Sequence, residues 1–211
     1  MRSAMQTIIT LVLVGFLLTS GVAFAGKYNP TLSPGDAAPS WDKLPGVDGK
    51  DHSLSDLAAK DIVVVVFTCN SCPTAVDYEA RLLALSQLLA KKNGALVAIS
   101  SNDMTRAKED GLKGMQAKAE KQKFDFPYLR DEGQKVARAY GATFTPEFFV
   151  LNKERKVVYL GALDDVSPPG EAKSKHVEAA ITAATEGKVP AVQETVARGC
   201  TVRYERTRRT K

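Results

Sequence analysis

The residues Thr68-Cys69-Asn70-Ser71-Cys72-Pro73 set two thiols three positions apart, directly behind the apolar run Ile62-Val63-Val64-Val65-Val66-Phe67. A β-branched run without polar alternation is expected of a strand covered on both faces. Pro73 suits the first turn of a helix, where its missing N–H costs no hydrogen bond. The pair is therefore predicted at the seam between a buried strand and a helix, with Cys69 at the helix N-terminus. Free backbone N–H groups and the helix dipole there favour a thiolate over a thiol. Two cysteines at this spacing can also close a small, reducible disulfide ring. The chemistry on offer is a mixed disulfide formed by Cys69 with a substrate and resolved by Cys72.

Competing readings of the cysteines are a structural bridge, an inert pair, or a zinc site. Structural bridges seldom favour so small a loop at a helix start. Zinc needs two more ligands, and only Cys200, His52 and His176 remain, without paired spacing. No metal and no cofactor is expected. His52 lies in a turn and His176 in a helix far along the chain from the cysteines, so both are expected at the surface. Cys200 has three readings: a second resolving thiol, an intermolecular bridge, or a packed residue on a short C-terminal strand in which Cys200, Val202 and Tyr204 alternate with polar residues. The packed reading is preferred.

The elements that position these residues follow from periodicity. Val76, Leu82, Leu83, Leu85, Leu88 and Leu89 form a helical stripe after the cysteines, with Lys91 and Lys92 in its last turn and Gly94 as a stop. Ala95-Leu96-Val97-Ala98-Ile99-Ser100 reads as a second buried strand, which completes a β-α-β unit. Residues 104–123 read as a charged surface helix, and residues 132–140 as a shorter helix stopped by Gly141. Two strands, 147–152 and 156–160, flank the polar turn Asn152-Lys153-Glu154-Arg155 as an antiparallel hairpin. A last helix spans 173–186. Ahead of the cysteines, residues 46–50 carry turn chemistry, and Ser53-Leu54-Ser55-Asp56-Leu57 reads as a capped single helical turn. The order β-α-β, helices, β-β-α predicts an α/β fold with a central mixed sheet flanked by helices.

With 211 residues, 44% of them hydrophobic, the chain supports one well-buried domain and not two large ones. Residues 1–25 read as a signal peptide: Arg2, an apolar core at 8–18, and Ala23-Phe24-Ala25 before Gly26. The alternative is an uncleaved membrane anchor. The expected location is exported, periplasmic or extracellular, with membrane contact only if the leader stays, and in such a compartment a disulfide persists. Residues 26–34 read as a linker, 35–190 as the domain and 191–211 as a basic tail. Net charge is +5, or +4 without Arg2, and it gathers at Arg198, Arg203, Arg206, Arg208, Arg209 and Lys211. That tail lacks stacking aromatics beyond Tyr204, and no nucleic-acid partner is expected.

The Cys-x-x-Cys after the first core strand, together with Thr145-Pro146 directly before the hairpin, resembles the thioredoxin fold. In that fold a cis-proline faces the cysteines, and the resemblance implies this role for Pro146. The segment Gly35-Asp36-Ala37-Ala38-Pro39-Ser40-Trp41, with the turn and helical turn that follow it, resembles the opening of redoxins. Redoxins include peroxiredoxins and exported thiol-disulfide reductases. The Thr-Cys-Asn-x-Cys-Pro motif and the dipeptide Gly199-Cys200 resemble the peroxiredoxin-like members. The resemblance runs from about Gly35 to Pro190 and implies a thioredoxin-like fold with an N-terminal redoxin extension.

Three departures qualify the activity. Thr68 stands where thioredoxins carry Trp, and Val63 where they carry a buried carboxylate. If Cys72 is matched to the peroxidatic cysteine of peroxiredoxins, their Thr and Pro become Cys69 and Val65, and their peroxide-holding Arg becomes Glu147. The expected activity is thiol-disulfide exchange, with Cys69, Cys72 and Pro146 catalytic and Thr68 and Thr145 contacting substrate. Its partners would be protein or small-molecule thiols and disulfides, and a thiol reductant. The alternatives are a thiol peroxidase acting on hydroperoxides and a non-catalytic binding domain of the same fold.

Overall fold

A computed structural model describes residues 26–166 and 171–205. The expected signal peptide, and the basic residues Arg206, Arg208, Arg209 and Lys211, lie outside the described residues. Among those described, no helix is long and apolar enough to cross a membrane.

The chain enters through β1 (Leu44–Pro45) and β2 (Asp51–His52), a two-stranded hairpin turned at Gly49 with φ +78°. A single 3₁₀ turn, Leu54–Leu57, follows; the Asp56 carboxylate accepts the Ser53 N–H at 2.7 Å, as the capped turn requires. Then comes β3 (Ile62–Phe67), with every residue at most 1% exposed. Its side chains alternate between two cores. Ile62, Val64 and Val66 join one cluster, and Val63, Val65 and Phe67 the other. Both faces are covered, which is why the run lacks polar alternation.

After the cysteines the expected single helix is two, α1 (Pro73–Asp77) and α2 (Glu79–Ala90). Tyr78 makes the junction. Its ring is buried in the first core and its hydroxyl donates to Val166 O at 2.8 Å, so Val76 is left partly exposed instead of joining the stripe. β4 (Gly94–Ser100) begins at the glycine expected to stop the helix. The left-handed position falls one residue earlier, on Asn93 with φ 50°. Gly94 is there for space: a Cβ would stand 2.7 Å from Leu89 Cδ2 and 3.2 Å from Ile62 O.

The expected helix over 104–123 shortens to a 3₁₀ turn, Lys108–Asp110, and α3 (Leu112–Gln122), which buries Met115 and Ala119. β5 (Tyr128–Arg130) was not foreseen as a strand; it is short, fully buried and parallel to β4. α4 (Lys135–Tyr140) ends at Gly141 in the left-handed region, as expected. β6 (Phe144–Thr145) leads into the hairpin of β7 (Glu147–Leu151) and β8 (Val157–Gly161). α5 (His176–Thr185) and β9 (Cys200–Thr201) complete the order.

The central sheet runs β5-β4-β3-β7-β8, with β3, β4 and β5 parallel and β7 and β8 antiparallel. This is the mixed sheet predicted. α2, α3 and α5 cover one face through Leu82, Leu85, Leu89, Met115 and Ile181, and α4 with Trp41 and Leu54 covers the other. On that second face Phe67, Tyr140 and Phe149 meet at ring-centroid distances of 5.1 to 5.7 Å. Such contacts add about 0.5–1.5 kcal/mol per pair beyond burial, and here they pin the end of β3 that carries the cysteines.

The flanking segments lie on the body of the protein. Asn29, expected in a linker, is buried and donates to Tyr140 O and Gly141 O while accepting from Thr31 and Leu32 N–H. Described residues beyond 190 pair with β8 at Glu194, bond Tyr159 through Thr195, and place Val202 in the second core.

Candidate active site

β3 ends at Phe67, and the backbone N–H of Thr68 continues the sheet by donating to Ile99 O at 2.9 Å. Cys69, Asn70 and Ser71 then form a loop before α1. Cys72 is the N-cap of α1, and its sulfur accepts the Ala75 N–H at 3.4 Å. The helix start expected at Cys69 therefore lies at Cys72. The reason is local: a proline at the first helical position makes the residue before it the cap, and its ring steers that residue to extended backbone, here φ −91° and ψ 115°.

A buried carboxylate holds the loop. Asp110 accepts from Asn70 N–H at 2.7 Å, Ser71 N–H at 2.9 Å, Ser71 Oγ at 2.6 Å and Asn102 Nδ2 at 2.8 Å. Asn70 is also tied through its side chain to Glu109 O at 2.7 Å and to the Tyr128 hydroxyl at 3.1 Å. Asp110 and Tyr128 are functional neighbours that the sequence reading missed. Asp110 sits in Lys108-Glu109-Asp110-Gly111, which reads as a solvated charged turn, and no local signal separates it from its exposed neighbours.

From the opposite side comes the loop between β6 and β7. The Thr145-Pro146 peptide is cis, as the resemblance implied. Thr145 touches all three cysteines. Its carbonyl oxygen lies 3.1 Å from Cys72 Sγ; its hydroxyl accepts from Cys69 Sγ at 3.6 Å and donates to Cys200 O at 3.4 Å. Glu147 buttresses this loop by accepting Thr143 and Phe144 N–H at 2.7 and 3.0 Å. Burial pushes its carboxyl above the usual range despite those bonds. Glu147 is thus an anchor for the loop, at the place where peroxiredoxins would carry Arg.

Cys69, Cys72 and Ala75 form one buried cluster, and half-buried Cys200 packs against it. The packed reading of Cys200 is therefore met on a two-residue strand, and packing brings it to the other two thiols. Of the residues singled out from the sequence, Cys69, Cys72, Thr145, Pro146 and Cys200 come together. Thr68 adjoins them along the chain, buried beside Cys69, while His52 pairs with Asp48 at 3.0 Å and His176 stacks on Tyr159.

The electrostatics single out Cys72. The Cys69 thiol, then Cys200, Thr145 and the Ala75 N–H, hydrogen-bond its sulfur and hold its titration below that of a free thiol. Burial works the other way, and the protonated sulfur donates to the Thr145 carbonyl at 3.1 Å. Cys69 is pushed up, first by sharing its hydrogen bond with Cys72, then by burial and by the negative charge of Asp110. Cys200 is raised by its hydrogen bond to Cys72 and by burial, while Arg203 opposes the shift. A group with a lowered titration is ionised from that lowered point upward. Reduced protein should therefore keep the ultraviolet absorbance of one thiolate as the pH falls below the free-cysteine value of about 8.5. That signal should be lost in Cys72→Ser, and a thiolate signal titrating at the free-cysteine value would contradict this charge distribution.

Comparisons with known proteins agree with this architecture. Residues 33–181 match the Redoxin family. An uncharacterized conserved protein from Geobacillus kaustophilus is similar at 32% identity and TM-score 0.79, with 85% of this chain and 96% of that one covered. A peroxidoxin from Mycobacterium tuberculosis is similar at 22% identity and TM-score 0.56, covering 74% and 97%. A thiol:disulfide interchange protein of the thioredoxin family from Chlorobium tepidum is similar at 20% identity and TM-score 0.55, covering 73% and 98%. At those two lower identities the likeness speaks to fold, which is thioredoxin-like. No curated protein matches the chain. A family match over most of the chain, joined to a cysteine pair held against a cis-proline, makes this protein a member of the Redoxin family, whose work is thiol-based oxidation and reduction.

Proposed function

We propose that this redoxin is a thiol-disulfide oxidoreductase in which Cys72 is the attacking sulfur and Cys69 the thiol that resolves its mixed disulfide. This reverses the roles expected when the helix start was assigned to Cys69. The observation that carries it is the capping geometry: the thiolate belongs at the helix cap, and there the Cys72 sulfur accepts the Ala75 N–H. Cys69 then attacks Cys72 Sγ, closes the Cys-x-x-Cys ring and frees the substrate thiol. A thiol reductant reopens the ring. Thr145 and Pro146 border the reacting sulfurs and would position the substrate; Thr68 would act through the backbone that carries Cys69.

One observation favours a second reading, hydroperoxide reduction: the cap residue Cys72 is the one that the peroxiredoxin pattern matches to its peroxidatic sulfur. The two readings separate when insulin reduction and hydrogen peroxide consumption are measured side by side against free cysteine. Exchange well above free cysteine, with peroxide consumption near it, is the expected result. Exchange at background with rapid peroxide loss would replace the first reading by the second.

A further inference from the structure

We propose that Cys200 is a second resolving thiol for Cys72, so that the protein passes through a Cys72–Cys200 disulfide as well as the Cys69–Cys72 ring. This rests on the reading of Cys72 as the reactive sulfur. Three features of the C-terminal segment support it. β9 pairs antiparallel with β6 so that Cys200 stands opposite Thr145, whose carbonyl faces Cys72. The approach is close enough to require glycine at 199: its φ is +148°, and a Cβ there would fall 2.0 Å from Thr145 O. Cys200 packs against the buried cluster that Cys69, Cys72 and Ala75 form, and it is the most exposed of the three thiols.

The surroundings also divide the two resolving thiols. Cys69 lies under the influence of the Asp110 carboxylate, which opposes formation of its thiolate. Cys200 is raised as well, first by its place beside Cys72 and then by burial, but the charge near it is the Arg203 guanidinium, which opposes the shift. Burial adds to the contrast, since Cys69 is 3% exposed and Cys200 only partly covered. Cys200, carried in by β9, is thus the more accessible of the two thiols that stand beside Cys72.

The step balances without a further reagent. The oxidant leaves Cys72 carrying RS, as a mixed disulfide, or OH, as a sulfenic acid. Cys200 gives its proton to that group, and its sulfur bonds Cys72 Sγ. RSH or water departs, and two electrons have passed from the protein's two thiols to the oxidant. Cys69 can then attack Cys72 Sγ, pass its proton to Cys200 and close the Cys-x-x-Cys ring, which returns Cys200 as a thiol.

The test uses the full chain with Cys69→Ser and with Cys69→Ser combined with Cys200→Ser. Each is treated with one equivalent of hydrogen peroxide, trapped with dimedone and a thiol alkylator, and mapped by mass spectrometry without reduction. The single variant is expected to lose two alkylatable thiols per chain and yield a linked Cys72–Cys200 peptide. The double variant should lose one and carry a dimedone adduct on Cys72. If the single variant instead carries the adduct on Cys72 with Cys200 still alkylatable, Cys200 does not resolve and the proposal fails alone. If the double variant yields no adduct at Cys72 with peroxide and takes up no glutathione there from one equivalent of oxidised glutathione, the reading of Cys72 as the reactive sulfur fails and takes the proposal with it. Rapid quenching of the unaltered chain gives a measurement free of substitutions. The Cys72–Cys200 peptide should appear before the Cys69–Cys72 peptide accumulates, and its absence at every time point would count against the proposal.

Discussion

Cys72→Ser is expected to lower thiol-disulfide turnover by about 100-fold or more, to the uncatalysed rate, because the variant loses the sulfur that caps α1 and accepts the Ala75 N–H. The hydroxyl that replaces it is a poor nucleophile and cannot form the mixed disulfide. Cys69→Ser is expected to be milder in the first half of the reaction. There Cys72 still attacks, and the defect falls in resolution, becoming complete only when Cys200, the second resolving thiol, is replaced as well. The pair of variants therefore distinguishes attack from resolution when single-turnover release of the first and second substrate thiols is followed separately. Loss of first-thiol release in Cys69→Ser, with Cys72→Ser unimpaired, would restore the opposite assignment. The peroxide reading makes the same demand on Cys72, so this experiment fixes the sulfur, while the comparison of substrates fixes the reaction.

Asp110→Ala is expected to cost about 3–5 kcal/mol of stability, read from the urea midpoint of reduced protein. Removal of the carboxylate leaves four donors from Asn70, Ser71 and Asn102 without their acceptor. A hydrogen bond to a charged group is worth about 1.5–3 kcal/mol, but Asn70 and Ser71 are only partly buried and water can replace part of what is lost. Asp110→Asn keeps the volume and one acceptor and should fall between the two. Both variants also remove a negative charge that holds Cys69 protonated, so the Cys69 thiol should titrate at lower pH in each. A loss under about 1 kcal/mol in Asp110→Ala would mean that the loop is held by the sheet and not by this carboxylate. The site thus has a buried carboxylate beside its cysteines even though Val63 occupies the thioredoxin position. Here it is delivered from the turn before α3 and serves to position the loop.

Much of the scaffold can be read from local pattern. The run over β3, the hairpin around Asn152-Lys153-Glu154-Arg155 and the left-handed stop at Gly141 each follow from side-chain period or backbone preference, which act over a few residues. The same short range explains the errors. β5 is too short to show a period, and the helix after Pro73 breaks at Tyr78 because the core, not the stripe, sets its direction. The helix start could have been placed correctly at Cys72, since a proline at the first helical position names its own cap.

The two cysteines and Pro146 were legible as chemistry from residue types, spacing and resemblance. What the chain could not show along its length was what stands beside each sulfur. Asp110 acts across 39 residues on Ser71, and Cys200 meets Thr145 across 55. Neither contact leaves a trace in neighbouring residues, because burial and register are set by packing of distant segments. The cap at Cys72, and the third thiol packed against it, come together only once β3, the cis-Pro146 loop and β9 have closed on one another.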